Sequence, residues 1–408
     1  MQVTMSPVRT RNLEFGIYRD GDNNLDMSQS LTVAQALESS RTDSAVEYTV
    51  EDTTGLRVDG DDIVDGRKRT DNFTIADGKI GNEQIGKARN MASEANLAQF
   101  VARTLANAEA SDAKQTWIDL VDHGGGDGGG LETHTGAVMS MPDMAKAIAD
   151  GMALHAKEHP EDATRSIDGV VANQCLMSTM GFADALSRAG VKWLAASPET
   201  MLSPGVPTSV ADAIARNIDD PAAMAAGVVN TVMHARYGSP FGASFGTAAA
   251  FDVLDCSSEK LANAERAIKA FNDAAAADTA DRASIRRDVG SVDGMVRFGE
   301  ATPDMPWHAD RPAIAMYDAI ASDGNLPGQL RDDARAASDA TRALVLAHKE
   351  ARKFGPFDGS SYADAVGPTI HAPISAKQID PWAAKGISET KNAFYDAVDQ
   401  AKFVGALA

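Results

Sequence analysis

Short apolar strands alternate with helical segments through the first half of this chain, and this alternation restricts its fold more than any other feature. Apolar runs and alternations predict strands over 13–18, 45–50, 116–121, 167–172 and 191–196. Capping residues and helical periodicity predict helices over 25–39, 93–108, 141–156 and 178–188. Elements that alternate at this spacing predict an α/β fold with a mostly parallel sheet flanked by helices.

The pattern changes near Asp255. Ala-rich segments predict helices over 258–278, 310–322 and 330–353, before a strand-like segment at 368–373 and a closing helix from about Ser388. Earlier, residues 52–86 are rich in Asp, Gly, Arg and Lys and predict loops or a hairpin, with one short strand at 72–75. We therefore expect an α/β core over 1–255 and a mainly helical region over 256–408 packed on it.

Charge and cysteine content exclude several classes of protein. The 408 residues include 38 Lys and Arg against 58 Asp and Glu, and the resulting net charge of −20 disfavours nucleic acids and anionic membrane surfaces as partners. The two cysteines, Cys175 and Cys256, are too few for a disulfide scaffold or a multi-cysteine zinc site. The first ten residues lack an apolar signal core, so we expect a soluble protein, cytoplasmic or exported with its signal removed.

A histidine and a cysteine follow two successive predicted strands. His123 ends the strand at 116–121 and Cys175 ends the strand at 167–172. Since ligands bind beyond the carboxyl ends of parallel strands, both side chains are expected in one crevice. An imidazole beside a thiol is the arrangement that activates a nucleophilic cysteine. Each residue taken alone has an ordinary structural explanation; the pair at two strand ends favours catalysis.

Glycines follow His123 and extend to Gly130, interrupted at Asp127. A Walker A loop is excluded because the Gly-Lys-Ser/Thr sequence is missing. Glycine allows the backbone to approach a bound carbonyl closely, so the amide of Gly124 or Gly125, together with that of Cys175, could form an oxyanion hole.

The other polar residues carry weaker signals. Oxygen donors alternate over 20–26, but Leu25 and Leu31 stand where a calcium loop of the EF-hand type needs Gly and Glu. Glu132 and His134 are too few to form a metal site, and no metal ligands are predicted. Cys256 is expected to be structural. Four histidines fall on predicted helices and are expected to be solvated: His155, His159, His234 and His348.

Several segments, in order, resemble the clostripain family of cysteine peptidases, in the caspase-like clan with gingipains, legumains and separase. Residues 118–126 are similar to its Trp-Asp-His-Gly-Gly-Gly motif, and residues 173–177 are similar to its Asp-Ala-Cys-Leu-Met motif. Weaker similarity extends over 15–26, 195–199, 247–255 and 367–373. The resemblance implies a caspase-like fold and peptide hydrolysis through a thioester. It makes His123 the general base, Cys175 the nucleophile, and the N–H groups of Gly124 and Cys175 the oxyanion donors.

The resemblance also assigns substrate-binding residues. The family carries an acid two positions before the nucleophile, and its members prefer Arg or Lys before the scissile bond. Asn173 stands at that position here and Gln174 replaces a small residue, while Ser197 and Glu199 lie in the next matching turn. An amide cannot supply the charge that pairs with a guanidinium. Either Glu199 supplies it, or the pocket accepts a neutral side chain.

Three further properties follow from the resemblance or its alternatives. Family members are often zymogens cut between the His and Cys strands, where Lys146, Lys157 and Arg165 are candidate positions, and some need calcium. The chemistry itself requires no cofactor, and the partner is a peptide or protein substrate. Two other functions stay open: an inactive caspase-like binding or regulatory scaffold, and another cysteine hydrolase such as an amidase or transpeptidase.

Overall fold

A computed structural model describes most of the chain: residues 11–42, 45–59, 62–133, 135–238, 244–292, 309–351, 365–374 and 392–407. Three features of the sequence predictions lie outside these ranges: the first ten residues, His134 and Ser388. Among the described helices, none is both long and apolar enough to cross a membrane.

The centre of the fold is a nine-stranded sheet. Its strands in chain order are β1 (Leu13–Gly21), β2 (Val46–Asp59), β3 (Asp62–Ala76), β4 (Lys79–Lys87), β5 (Gln115–Val121), β6 (Gly169–Asn173), β7 (Trp193–Ala196), β10 (Ala250–Asp255) and β12 (Val345–Glu350). Their spatial order is β12-β10-β7-β6-β5-β1-β2-β3-β4. Two pairs lie outside it: β8 (Tyr237–Gly238) with β9 (Ser244–Phe245), and β11 (Asp310–Pro312) with β13 (Thr369–His371).

The five middle strands are parallel and the outer strands are antiparallel. β2, β1, β5, β6 and β7 run in one direction, while β3 and β4 on one side and β10 and β12 on the other are antiparallel to their neighbours. A parallel strand needs a long crossover, and helices supply the crossovers here. The predicted mostly parallel α/β sheet is therefore confirmed.

Helices cover both faces of the sheet. They are α1 (Asp26–Gln29), α2 (Leu31–Thr42), α3 (Glu94–Ala110), α4 (Met141–Glu158), α5 (Met180–Arg188), α6 (Val210–Arg216), α7 (Pro221–His234), α8 (Ser258–Ala277), α9 (Arg282–Ser291), α10 (Ala313–Ser322), α11 (Gly328–Arg342), α12 (Ala393–Ala397) and α13 (Gln400–Leu407). Two short 3-10 turns lie at Gly126–Gly128 and Pro160–Asp162.

Each face of the sheet has its own apolar core. One core gathers side chains from α3, α4, α5, α8, α10 and α11 around Ile118 and Val170. The other gathers α2, α6 and α7 around Trp117 and Val171. Successive residues of a strand point to opposite faces, so each buried strand contributes to both cores and reads as a continuous apolar run.

Of the loops or hairpin predicted within 52–86, the hairpin is confirmed, because β2, β3 and β4 pair antiparallel in succession. The short strand predicted at 72–75 is part of the longer β3. Another prediction is wrong. The helix predicted over 330–353 ends at Arg342, and the chain continues as β12. Thus the C-terminal region adds an edge strand to the sheet. The boundary at residue 255 stays a prediction.

His348 was expected on a solvated helix, but it lies on β12 and is partly buried beside Asp252 of β10. Its Nδ1 lies 2.6 Å from Oδ1 of the fully buried Asp252, whose Oδ2 accepts a hydrogen bond from Ser178 at 2.8 Å. Burial lowers the pKa of His348, but its contacts with Asp252 and Glu350 outweigh that effect and raise it above 6.5. The imidazolium therefore holds the edge strand to the sheet.

This ion pair makes the stability depend on pH. A raised pKa in the folded state means that the stabilisation is complete below pH 6.5 and is lost as pH rises through the folded pKa. His348→Asn keeps an N–H donor near Nδ1 but removes the charge. We expect it to cost about 1 kcal/mol of unfolding free energy at pH 6 and less at pH 9, measured by urea denaturation. His234→Asn, at the exposed end of α7, is the control. A pH-independent difference would contradict the pairing.

Candidate active site

Four parallel strands end at one edge of the sheet, and a polar residue follows the end of each strand. Asn24 follows β1, His123 follows β5, Cys175 follows β6 and Glu199 follows β7. The pairings β1–β5, β5–β6 and β6–β7 are all parallel. Since the carboxyl ends of parallel strands share one edge, residues far apart in sequence converge, such as Asn24 and His123, which are 99 positions apart.

The register of β5 and β6 places His123 beside Cys175. Val121 is the register partner of Asn173, two residues before each of the pair, and the Asp122 N–H donates to the Asn173 carbonyl at 3.3 Å. A Cβ atom on Gly124 would lie 2.3 Å from the Cys175 carbonyl oxygen and 3.0 Å from its amide nitrogen. Only glycine permits this approach, so the backbone after His123 lies directly against the backbone of Cys175.

Asn24 orients the imidazole of His123. The Nε2 atom lies 2.7 Å from Oδ1 of Asn24. An amide oxygen accepts, so in this contact Nε2 carries the proton and Nδ1 is left as the basic nitrogen. Burial lowers the pKa of His123 below 6.5, although the negative charge of Glu132 opposes the shift. The imidazole is therefore neutral at pH 7 and able to accept a proton.

The Cys175 sulfur lies against the backbone of Met201. The Met201 N–H donates to Sγ at 3.2 Å, and the thiol lies 3.6 Å from the Met201 carbonyl oxygen. Burial raises the pKa of the Cys175 thiol, the Met201 N–H lowers it, and the charges of Glu199 and Asp122 raise it further. The resting pair is therefore a thiol and a neutral imidazole rather than a thiolate and an imidazolium.

The residue after the cysteine has a strained backbone. Leu176 has φ of 67°, in the left-handed region that a branched side chain rarely adopts. Its N–H donates to the Glu199 carbonyl at 3.1 Å. Strain of this kind costs about 1–3 kcal/mol and is concentrated at functional sites. Here it turns the chain sharply after β6.

The C-terminal region holds the glycine loop that follows His123. Asp127 is buried in this loop; its Oδ2 accepts a hydrogen bond from the Tyr395 hydroxyl, and its N–H lies 3.5 Å from Oδ2 of Asp310. Burial and then the neighbouring Asp310 raise the pKa of Asp127 well above its usual range. A Cβ on Gly126 would lie 2.5 Å from Oδ2 of Asp310, so this contact also requires glycine.

Two of the predicted substrate-binding side chains point into the structure. Asn173 is buried on β6; its Oδ1 accepts from the Val206 N–H at 2.8 Å and its Nδ2 donates to the Val206 carbonyl at 3.3 Å. Gln174 is 1 % exposed and packs under Gly124 and Gly130 of the glycine loop. Both therefore shape the walls of the site.

The other two organise the turn after β7. The Ser197 hydroxyl lies 2.8 Å from the carbonyl oxygens of Glu199 and Ala250 and accepts from the Glu199 N–H at 3.1 Å. Glu199 is fully buried, and its charge acts on Cys175. Of these four side chains, the Glu199 carboxylate is the one whose charge raises the pKa of the Cys175 thiol. Substrate contact by these residues stays a prediction.

Sequence reasoning missed Asn24 as the partner of His123 and Met201 as the partner of Cys175. Asn24 lies in the polar turn at 20–26, which resembles a segment of the family. The sequence therefore showed the motif but did not show that Asn24 contacts His123. The contact of Met201 with Cys175 uses only backbone atoms, which no residue type reveals.

Calcium dependence stays a prediction from the resemblance. Beside His123, the charges of Asp20 and Glu132 act on Asp122, and the amide nitrogen of Asn23 contacts an oxygen of each of the three. This nitrogen is 2.5 Å from Asp122 Oδ1 and 2.9 Å from the Glu132 carbonyl oxygen. The Leu25 N–H donates to Oδ1 of Asn23, which fixes the orientation of the amide. An N–H donor thus takes the position of a cation, and this group does not fit calcium.

Structural comparison identifies proteins with this fold. No protein-family model matches the sequence, and comparison with curated proteins finds no significantly similar sequence. An inactive zymogen C11 protease from Parabacteroides distasonis is 15% identical, with a TM-score of 0.63 over 95% of this chain and 98% of that one. A secreted C11 cysteine protease from Bacteroides thetaiotaomicron, iotapain, is 14% identical, with a TM-score of 0.64 over 96% and 100%. The chain therefore has the caspase-like fold of C11, or clostripain-type, cysteine proteases, as its motifs predicted.

Removing the Asn173 side chain tests its positioning role. Asn173→Ala leaves the buried N–H and carbonyl of Val206 without their partner. We expect a loss of about 1–3 kcal/mol of unfolding free energy, measured by urea denaturation. The exposed Asn230→Ala is the control. An unchanged stability would show that the amide is not needed to hold the 203–206 turn.

The protonation of the resting thiol can be measured directly. In a Cys256→Ala chain, Cys175 is the remaining thiol. Because its pKa is raised, we expect alkylation by iodoacetamide at pH 7 to be slower than that of a free thiol, and to keep rising above pH 8.5, about where an exposed thiol titrates. The rate is followed by intact mass. Fast alkylation that does not change between pH 6 and 9 would instead indicate a resting thiolate.

Proposed function

We propose that this chain is a cysteine endopeptidase in which Cys175 is the nucleophile and His123 is the general base. One observation carries the proposal: β5 and β6 end side by side in register, so that His123 and Gly124 lie against Cys175. The structural neighbours support it, since they are C11 proteases. A secreted C11 cysteine protease from Bacteroides thetaiotaomicron in complex with an irreversible peptide inhibitor is also similar, at 14% identity, a TM-score of 0.58, and 96% and 99% coverage.

In the proposed mechanism the thiol proton of Cys175 moves to His123 before the bond to the leaving amine breaks. Nδ1 of His123 accepts the thiol proton as sulfur attacks the scissile carbonyl carbon, so that a thiolate never accumulates in the resting site. The tetrahedral intermediate collapses to a thioester, and the imidazolium gives its proton to the departing amine. Water, deprotonated by the same nitrogen, then attacks the thioester carbonyl, releasing the acid and restoring the thiol. Asn24 keeps Nδ1 as the reacting nitrogen throughout.

The oxyanion of the intermediate is proposed to bind two backbone N–H groups, those of Gly124 and Cys175. The close approach of their backbones favours this pair. Backbone donors of this kind are already oriented before the reaction, so they do not have to rearrange. Each stabilises the transition state by about 3–4 kcal/mol. The sharp turn at Leu176 fixes the direction of the Cys175 backbone.

Specificity at the residue before the scissile bond rests on Glu199. Asn173 uses both amide atoms on Val206, so it has little left to offer a substrate, whereas Glu199 places a carboxylate close enough to shift the Cys175 pKa. We therefore propose that a basic side chain, where accepted, pairs with Glu199. If the chain prefers a neutral side chain before the scissile bond, the Glu199 carboxylate stays in the turn after β7 and does not contact the substrate.

Activation by self-cleavage is also proposed. Lys146 and Lys157 lie inside α4, where the helical backbone cannot enter an extended binding cleft. Arg165 lies beyond the helix in the connection to β6 and is the favoured position, although its guanidinium is held by Asp162 and the Ala113 carbonyl. Cleavage there would release these contacts.

An inactive scaffold is the second candidate function, and the raised pKa of the Cys175 thiol favours it. A thiol that substrate binding does not activate would have ordinary reactivity and no turnover.

Peptide cleavage separates the two candidates. We expect the native chain, with calcium supplied, to cleave a peptide library varied before the scissile bond. Cys175→Ala and His123→Ala are expected to lose at least about 1,000-fold in kcat/KM, since each removes the nucleophile or its base. Cys256→Ala, which alters a buried cysteine away from the strand ends, is the matched control.

Mass spectrometry of the products identifies the bond cut and any self-cleavage at Arg165. Transfer of the acyl group to an added amine would indicate a transpeptidase. Equal turnover in the native chain and Cys175→Ala would overturn the proposed nucleophile. If no peptide is cleaved by any chain, whether that chain is intact or already cut after Arg165, the scaffold is favoured.

A further inference from the structure

Two histidines and two acids meet far from the strand ends, where α3 and α4 finish. His155 lies in the last turn of α4 and His159 follows one turn later, Glu109 lies near the end of α3, and Asp162 lies in the 3-10 turn that leads toward β6. We call these four residues the histidine cluster. The proposed peptidase mechanism uses none of them.

The side chains of the histidine cluster already lie close together. Nδ1 of His159 is 2.7 Å from Oε2 of Glu109. The rings of His155 and His159 stack with centroids 4.8 Å apart and planes within 16°. One ligand atom from each of Glu109, His155 and His159 can be chosen so that all lie within 4.8 Å of one another.

His155 provides an independent sign of a ligand. It is fully buried, although it was expected to be solvated, and Nδ1 has no hydrogen-bond partner among the described residues. Its other nitrogen, Nε2, lies 3.3 Å from Oδ2 of Asp162. A carboxylate accepts, so Nε2 carries the proton and Nδ1 presents a lone pair. A buried lone pair without a donor costs free energy that a bound cation would recover.

Asp162 is itself held in place. Nε of Arg165 donates to the same carboxylate oxygen, while Nη1 of Arg165 donates to the Ala113 carbonyl at 2.8 Å. Hydrogen bonds thus link Arg165 to Asp162 and Asp162 to His155. Proteins use the same pattern to orient a metal-binding imidazole through its second nitrogen. Asp162 therefore has the position of a carboxylate that orients His155.

We propose that the histidine cluster binds a divalent transition-metal ion of the zinc type, with two imidazoles and one carboxylate as ligands. Histidines four residues apart on one helical face are a common zinc-binding pair. Two nitrogens and one carboxylate suit zinc and exclude calcium, which takes oxygen ligands. The ion would link α3, α4 and the connection that leads to β6, so its role is structural.

Metal binding is measured on the full chain carrying Cys175→Ala, which removes the accessible thiol as a competing ligand. The probe is Zn²⁺ in calorimetric titration, with excess Mg²⁺ to occupy exposed carboxylates, and Co²⁺ absorption reports the geometry. We expect one saturable site, a four-coordinate Co²⁺ spectrum and a higher thermal midpoint with Zn²⁺.

Variants locate the site. His159→Gln and Glu109→Gln are each expected to weaken Zn²⁺ binding at least about tenfold, and Asp162→Asn about 10–100-fold through the orientation of His155. His234→Gln, at an exposed histidine on α7, is the matched control and should bind as the parent does. Circular dichroism verifies that each variant is folded. Absence of a saturable site, or unchanged binding in both His159→Gln and Glu109→Gln, would overturn the proposal.

Discussion

The parallel, in-register pairing of β5 with β6 is the constraint on which the rest of the site depends. It brings His123 and Cys175, 52 residues apart, to the same sheet edge, and it lays Gly124 against the Cys175 backbone. Everything else refines that arrangement. β1 contributes Asn24 to one side and the turn after β7 contributes Glu199 to the other. Because β5 and β6 are buried on both faces, core packing maintains the register of the reacting groups.

Burial sets the protonation of these groups as strongly as their contacts do. It lowers the pKa of His123 and raises that of Cys175, so both are neutral at rest. A neutral pair is easier to keep in a partly desolvated cleft than an ion pair, whose desolvation would have to be offset. In the proposed peptidase, proton transfer therefore accompanies attack on the substrate, and the base needs a defined tautomer, which Asn24 provides.

The C-terminal region contributes both to the sheet and to the candidate site. Its strand β12 forms one edge of the sheet, held by His348 and Asp252. Asp310 and Tyr395 contact Asp127 in the glycine loop, immediately after the candidate base. Thus residues near the end of the chain hold the backbone that follows His123. A core of residues 1–255 would lack both supports.

Much of the fold could be predicted from the sequence, since the alternation of apolar strands with helices and the polar residues at strand ends are local patterns. Those patterns also placed His123 and Cys175 at one edge. Only the tertiary structure decided that Nδ1 of His123 is basic, that the Asn173 amide binds the Val206 backbone, that His155 is buried and that His348 is partly buried. The physical reason is that hydrogen bonding and desolvation depend on neighbours far away in sequence: Asn24 lies 99 positions from His123, and Asp252 lies 96 from His348.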